Sequence, residues 1–234
     1  MPTAALVLTG GVEHAITLPP INSPLQVGTV YDETKLEKPP RQLNWYKIPA
    51  WLEGSWRSDT QTSTTVEDLK TRRKISSDSS RNQGVARYGV QRDDKTGVWD
   101  YVYAPQKVES SSELFIYKDL VTKQVLMKDA SNVVVLKDIF TRRKVSKANK
   151  KIVEVTQMEQ ISTLRPEGKN VITLVGSLKV FDKHGKALRL ITATVKYRRS
   201  EPFKQVNFDK ATHEDLRPSF KAFLDARANR SSRP

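Results

Sequence analysis

The chain has 234 residues, with 40 Lys and Arg against 26 Asp and Glu, a formal net charge of +14, three His and no Cys. Without Cys, disulfide frameworks, Cys-ligated zinc or iron–sulfur sites and Cys nucleophiles are excluded. Hydrophobic residues make up only 37%, and no stretch approaches the roughly 18 consecutive apolar residues of a membrane-spanning helix.

The first segment, Met1 to Leu18, has an apolar patch at Ala4-Ala5-Leu6-Val7-Leu8 with no preceding Lys or Arg. It therefore reads as a docking tail and not as a signal peptide. Residues 1–44 hold six of the 12 prolines, at positions 2, 19, 20, 24, 39 and 40. Proline removes a backbone donor and fixes φ, which predicts an extended arm that lies on another surface, its own domain or a partner's.

From Trp45 the pattern changes to short β-type runs broken by turn signals. Thr60 to Val66 and Arg72 to Ile75 come first, and Val85 to Gln91 and Val98 to Tyr103 then flank the turn-rich Asp93–Gly97. Leu114–Tyr117, Gln124–Met127, Val133–Phe140 and Ile152–Leu164 follow, and Arg165–Asn170 forms another turn cluster. The clearest pair is Val171–Phe181 and Leu188–Tyr197 around Asp182-Lys183-His184-Gly185-Lys186. In the second of these strands Ile191, Ala193, Val195 and Tyr197 alternate with Thr192, Thr194, Lys196 and Arg198, one face dry and one wet. Near the end, Leu216, Phe220, Phe223 and Leu224 form one helical stripe, with Glu214 and Asp215 before it and Pro218 in its first turn. The tail from Arg227 to Pro234 is basic and Ser-rich, and reads as frayed.

The expected fold is all-β: an antiparallel meander of about 8–10 strands closing into a barrel, with a sandwich as the alternative. The expected divisions are an arm over 1–44, a β domain over 45–213 and a C-terminal helix with basic tail over 214–234.

The segment Ile48-Pro49-Ala50-Trp51-Leu52-Glu53-Gly54-Ser55-Trp56 opens the β region. A Gly-x-Trp at the head of the first strand of a meander resembles the lipocalin, or broader calycin, signature. The resemblance implies that Trp56 closes one end of a barrel and that a late-strand Arg, Arg198 or Arg199, packs across its ring. It also implies an interior that carries a small apolar ligand, lined by residues such as Leu114, Ile116, Ile191, Ala193 and Val195. The family's Thr-Asp-Tyr element is not found here. A second resemblance rests on the Pro-rich arm, Pro49-Ala50-Trp51-Leu52-Glu53-Gly54-Ser55-Trp56, Arg198-Arg199-Ser200-Glu201-Pro202-Phe203 and Asp215-Leu216-Arg217-Pro218-Ser219-Phe220. These segments resemble envelope proteins of bacterial conjugation or type IV secretion clusters.

No phosphate-binding glycine loop, nucleophile elbow or His-Glu-x-x-His helix occurs. His14, His184 and His213 are scattered among loop-like neighbours, and the acid pairs Asp93-Asp94 and Glu67-Asp68 sit in turns, where Asp bonds its own backbone. The expectation is a protein that is not an enzyme and needs no cofactor or metal. Positive charge is clustered, at Arg72, Arg73 and Lys74, and most densely at Arg142, Arg143, Lys144, Lys147, Lys150 and Lys151. Such clusters suit anionic partners. The first expected function is a non-catalytic β-barrel subunit that docks with other proteins in a cell-envelope assembly, through its arm and basic patches. The alternatives are a carrier of a small apolar ligand and a nucleic-acid-binding barrel, the last without an aromatic platform beside the charge. An anionic membrane surface is a further expected partner. The compartment favoured is the envelope, periplasm or an organelle lumen, with the cytoplasm also open.

Overall fold

The computed structural model describes residues 12–210 and 213–231, without the side chains of 59–63, 76–83 and 231. The Ala4–Leu8 patch, Pro2 and Arg233 lie outside the described residues. Strands account for 57% and helices for 9%, and every ladder is antiparallel. The strands are β1 (Gln42–Lys47), β2 (Gly54–Asp68), β3 (Lys74–Tyr88), β4 (Gln91–Arg92), β5 (Val98–Ala104), β6 (Gln106–Ser111) and β7 (Phe115–Ala130). They continue with β8 (Val133–Ser146), β9 (Ile152–Gly168), β10 (Val171–Phe181), β11 (Ala187–Glu201), β12 (Phe208–Asp209) and β13 (Glu214–Asp215), before α1 (Leu216–Ser231).

Eight strands form one sheet in the order β3-β2-β11-β10-β9-β8-β7-β6. That order is the one a closed meander would have, cut open between β3 and β6. No ladder joins those two edges among the described residues. The chain between them is spent on β4 and β5, which pair with β1 in a separate three-stranded sheet of order β1-β5-β4.

The small sheet lies across the inner face of the large one. Tyr46, Ile48, Val98 and Val102 from the small sheet and its flanks pack with Trp56, Val134, Leu164 and Ile172, all buried. Its other face turns Trp45 and Trp99 toward Leu216 and Phe220 of α1. The Trp45 and Phe220 rings are 4.8 Å apart, within the range of favourable aromatic pairs. The helical stripe read from the sequence therefore faces a second aromatic surface. α1 runs on to Ser231, so Arg227 and Arg230 are helical where a frayed tail was expected.

The described arm lies on its own protein. Leu18 and Ile21 donate backbone hydrogen bonds to Gly185 and Lys183 at 3.1 and 2.8 Å, and Gly28 and Ile152 bond through the arm's backbone at 2.8 Å. Leu25 is buried among Val145, Ile152 and Val155. Val12 packs on Val133, Val135 and Ile161. This explains why Val133-Val134-Val135 is apolar on consecutive positions: β8 is covered by the small sheet on one face and by the arm on the other.

Candidate ligand-binding cleft

Along β5 the side chains alternate. Val98 and Val102 point between the sheets, and Trp99 packs under α1. Asp100 shares the register of Val98 and Val102, which places a carboxylate between the layers. There it borders a cleft of about 660 Å³ that opens at the gap between β3 and β6. Tyr46, Tyr88, Val90, Val102 and Leu136 line its body, and Arg87, Lys107 and Asp209 stand among its remaining borders.

Asp100 is held by two backbone donors, Gly89 N–H to Oδ2 at 3.0 Å and its neighbour Tyr101 N–H to Oδ1 at 2.9 Å. Burial pushes its pKa up to about 6, against the lowering effect of those two bonds. The phenol of Tyr46 is pushed well up by burial and then by the Asp100 charge, and that of Tyr88 by burial, Tyr197 and Asp100. Both phenols are therefore neutral donors at physiological pH. On β8, Asp138 is raised by burial, and its Oδ1 has no hydrogen-bond partner among the described residues. Gln124 accepts from Tyr103 N–H at 3.0 Å, tying β7 to the end of β5. At the rim Tyr101 donates to Asp209, and Arg41 lies 5.8 Å from the Tyr103 ring centroid.

The cavity-lining set expected from the sequence does not border this cleft. Leu114 is 63% exposed at the β6–β7 turn. Ile116 packs beside Val145 and Leu25 under the arm. Ile191 joins Phe140, Met158 and Val180 farther along the large sheet, and Ala193 and Val195 follow it on β11 without reaching the cleft. The physical reason is position: the opening lies at the β3–β6 gap, with β2 between β3 and β11, whereas Leu114 and Ile116 sit by the β6–β7 turn and Ile191 lies farther along the sheet.

Of the two candidate arginines, Arg199 lies over Trp56, its guanidinium carbon 4.9 Å from the ring centroid. It also donates to Trp51 O at 2.9 Å, while Trp56 Nε1 donates to Leu52 O at 2.8 Å. Arg198 is exposed and pairs in register with Arg57. Gly54 is positioned by close approach: at φ +113, a Cβ would come within 2.6 Å of Glu201 O.

The densest basic cluster divides in two. Arg142 makes a two-pronged pair with Asp119, at 2.8 and 2.7 Å. Arg143 is fully buried and bound to Glu37 of the arm at 2.6 Å and to Ser23 at 3.2 Å. Lys144 sits 4.0 Å over the Phe115 ring. These three are internal supports and offer little charge to a partner. Lys147, Lys150 and Lys151 stay exposed in the β8–β9 turn, and Arg72, Arg73 and Lys74 in and beside the β2–β3 turn, where Glu67 pairs with Arg72 and Lys74.

None of the three histidines borders the cleft. His14 bridges Glu159, 3.0 Å away, and Ser177, 2.8 Å away, beneath the arm. Among the described residues no group of three His, Asp or Glu is placed to hold a metal ion. The sequence reading missed Asp100; the available signal was an acid at an inward position of an otherwise apolar alternation. No protein-family model, curated protein or solved structure matches the chain.

Proposed function

We propose that the protein is a non-catalytic binding protein that holds a small ligand in the cleft between its two sheets, in the manner of a calycin carrier. The observation that carries this reading is the cleft itself. It has about 660 Å³ of space, an apolar and tyrosine-lined body and one half-buried carboxylate, the composition expected of small-molecule sites. The ligand has an apolar or aromatic body for the Tyr46, Tyr88 and Leu136 surfaces and a hydrogen-bond donor for Asp100. The calycin resemblance draws support from Gly54, Trp56 and Arg199, and from a strand order that would be cyclic if β3 met β6. Docking into an envelope assembly draws support from the exposed basic turns and none from the described arm, whose hydrogen bonds go to its own sheet.

Fluorescence titration with the neutral dye N-phenyl-1-naphthylamine tests the reading. The wild-type chain is expected to bind it saturably. Leu136→Trp on β8 and Val90→Trp in the β3–β4 link, which fill the cleft from two separate segments, are expected to weaken binding by at least about tenfold while keeping the wild-type melting transition. Unchanged binding in both filled variants would overturn the assignment.

A further inference from the structure

The up-and-down order of the large sheet sends the β2–β3, β6–β7, β8–β9 and β10–β11 turns to the same end. Clusters far apart in sequence thereby become neighbours. Lys70, Arg72, Arg73 and Lys74 come from the first turn region, Lys147, Lys150 and Lys151 from the third, and Lys183 and Lys186 from the fourth. With Arg189 beside Leu188 and Glu154 beside Val153, ten basic residues at this end stand with five acids, Glu67, Asp68, Glu113, Glu154 and Asp182, for a balance of +5.

The same end displays aliphatic side chains. Leu114 is 63% exposed, Ile75 54%, and Val27 and Val30 of the arm 57% each, with Val153 and Leu188 beside them. Val30 bridges Lys151 directly through the backbone. Six of the eleven exposed large hydrophobic residues identified among the described residues lie here, interleaved with the lysines. Exposed aliphatics among basic residues are the composition of a surface that inserts shallowly between anionic lipid headgroups. A single-stranded nucleic acid would instead require exposed rings for base stacking. The nearest rings, Phe115 and Tyr31, are already partly buried and each lies against a lysine.

We propose that this basic, aliphatic-tipped end of the large sheet is a peripheral docking surface for an anionic phospholipid bilayer. It lies apart from the cleft, whose mouth opens along the β3–β6 seam, so ligand and membrane occupy different parts of the molecule. No helix among the described residues is long and apolar enough to cross a membrane, and peripheral attachment requires none.

Co-sedimentation of the full chain with vesicles tests the proposal, comparing pure phosphatidylcholine with a mixture containing roughly one-third phosphatidylglycerol. Binding is expected to the mixture alone and to weaken with salt. Each lysine near such a surface is worth about fivefold in partitioning, so Lys147→Gln/Lys150→Asn/Lys151→Gln is expected to lose on the order of a hundredfold. Leu114→Ser/Val153→Ser keeps the charge and is expected to lose about tenfold. Lys169→Gln/Arg198→Gln, at the opposite end, matches the change in sign and is expected to bind like wild type. All variants alter exposed side chains, and circular dichroism checks their folding. No binding to the anionic vesicles at low salt, equal losses at both ends, or capture of a single-stranded oligonucleotide in place of vesicles would each overturn it.

Discussion

Asp100 occupies a position where the alternation of Val98 and Val102 calls for an apolar side chain, and it is kept there by the Gly89 and Tyr101 amides. A carboxyl whose pKa rises from 3.8 to about 6 on folding holds its proton more tightly in the folded chain than in the unfolded one. Stability is therefore greatest below about pH 4 for this group and falls as pH rises to about 6, by about 3 kcal/mol in total. Asp100→Asn is expected to remove that slope from urea-unfolding measurements taken between those pH values. Gly54 makes a sharper prediction. Gly54→Ala drives a methyl group into the Glu201 carbonyl at a φ that L-residues rarely adopt, and is expected to cost about 2 kcal/mol or more in the same measurement. At this scale the sequence was informative where chemistry is local. Gly54, Trp56 and a late arginine were readable as a set, but the choice of Arg199 over Arg198 depends on register. Asp100 went unread because an acid in a strand signals nothing until the strand's inward face is known.

The arm is the element whose behaviour depends most on distant residues. Burial lowers the His14 pKa, against the Glu159 hydrogen bond and charge that raise it and with Lys179 and Lys137 adding to the lowering. Glu159 in turn is favoured toward protonation by burial, but Lys137, the Ala15 amide and His14 hold it below its ordinary value. A histidine that releases its proton more readily when folded makes its full contribution above the unfolded pKa of 6.5, and that contribution is lost as pH falls below it. Amide-exchange protection of residues 15–21 is thus expected to weaken on acidification below pH 6.5, and His14→Gln is expected to remove the dependence. Arg143→Met leaves Glu37 without its buried partner and is expected to destabilise the chain by about 3 kcal/mol, with the arm becoming sensitive to limited proteolysis. An extended arm followed from its prolines, but its resting place did not. Nor did the internal use of Arg142 and Arg143: their partners Asp119 and Glu37 lie 23 and 106 residues away, so a run of charge looked like surface.

For the whole molecule, period-two alternation and turn chemistry made the antiparallel β character and the β10–β11 hairpin legible. The helix stripe was equally clear. What local patterns could not carry was the departure of β4 and β5 from the meander, because pairing with β1 is decided by residues about 55 positions away. That departure opens the seam, and the seam creates the cleft. If the seam is the ligand's entrance, Arg87→Trp, at the exposed β3 border of the cleft, is expected to slow dye entry and release while leaving the melting temperature unchanged.

The arm's partners also set an order of events during synthesis. Residues 14–21 leave the ribosome well before their hydrogen-bond partners Gln157, Glu159, Ser177, Lys183 and Gly185, which emerge more than a hundred residues later. The arm therefore has no seat until the β9–β10–β11 segment exists, and closure of this long loop comes late, after the local hairpins have formed. Until then the outer apolar row of Val133, Val135 and Ile161 stands uncovered, which makes the nascent chain dependent on the arm to finish its surface.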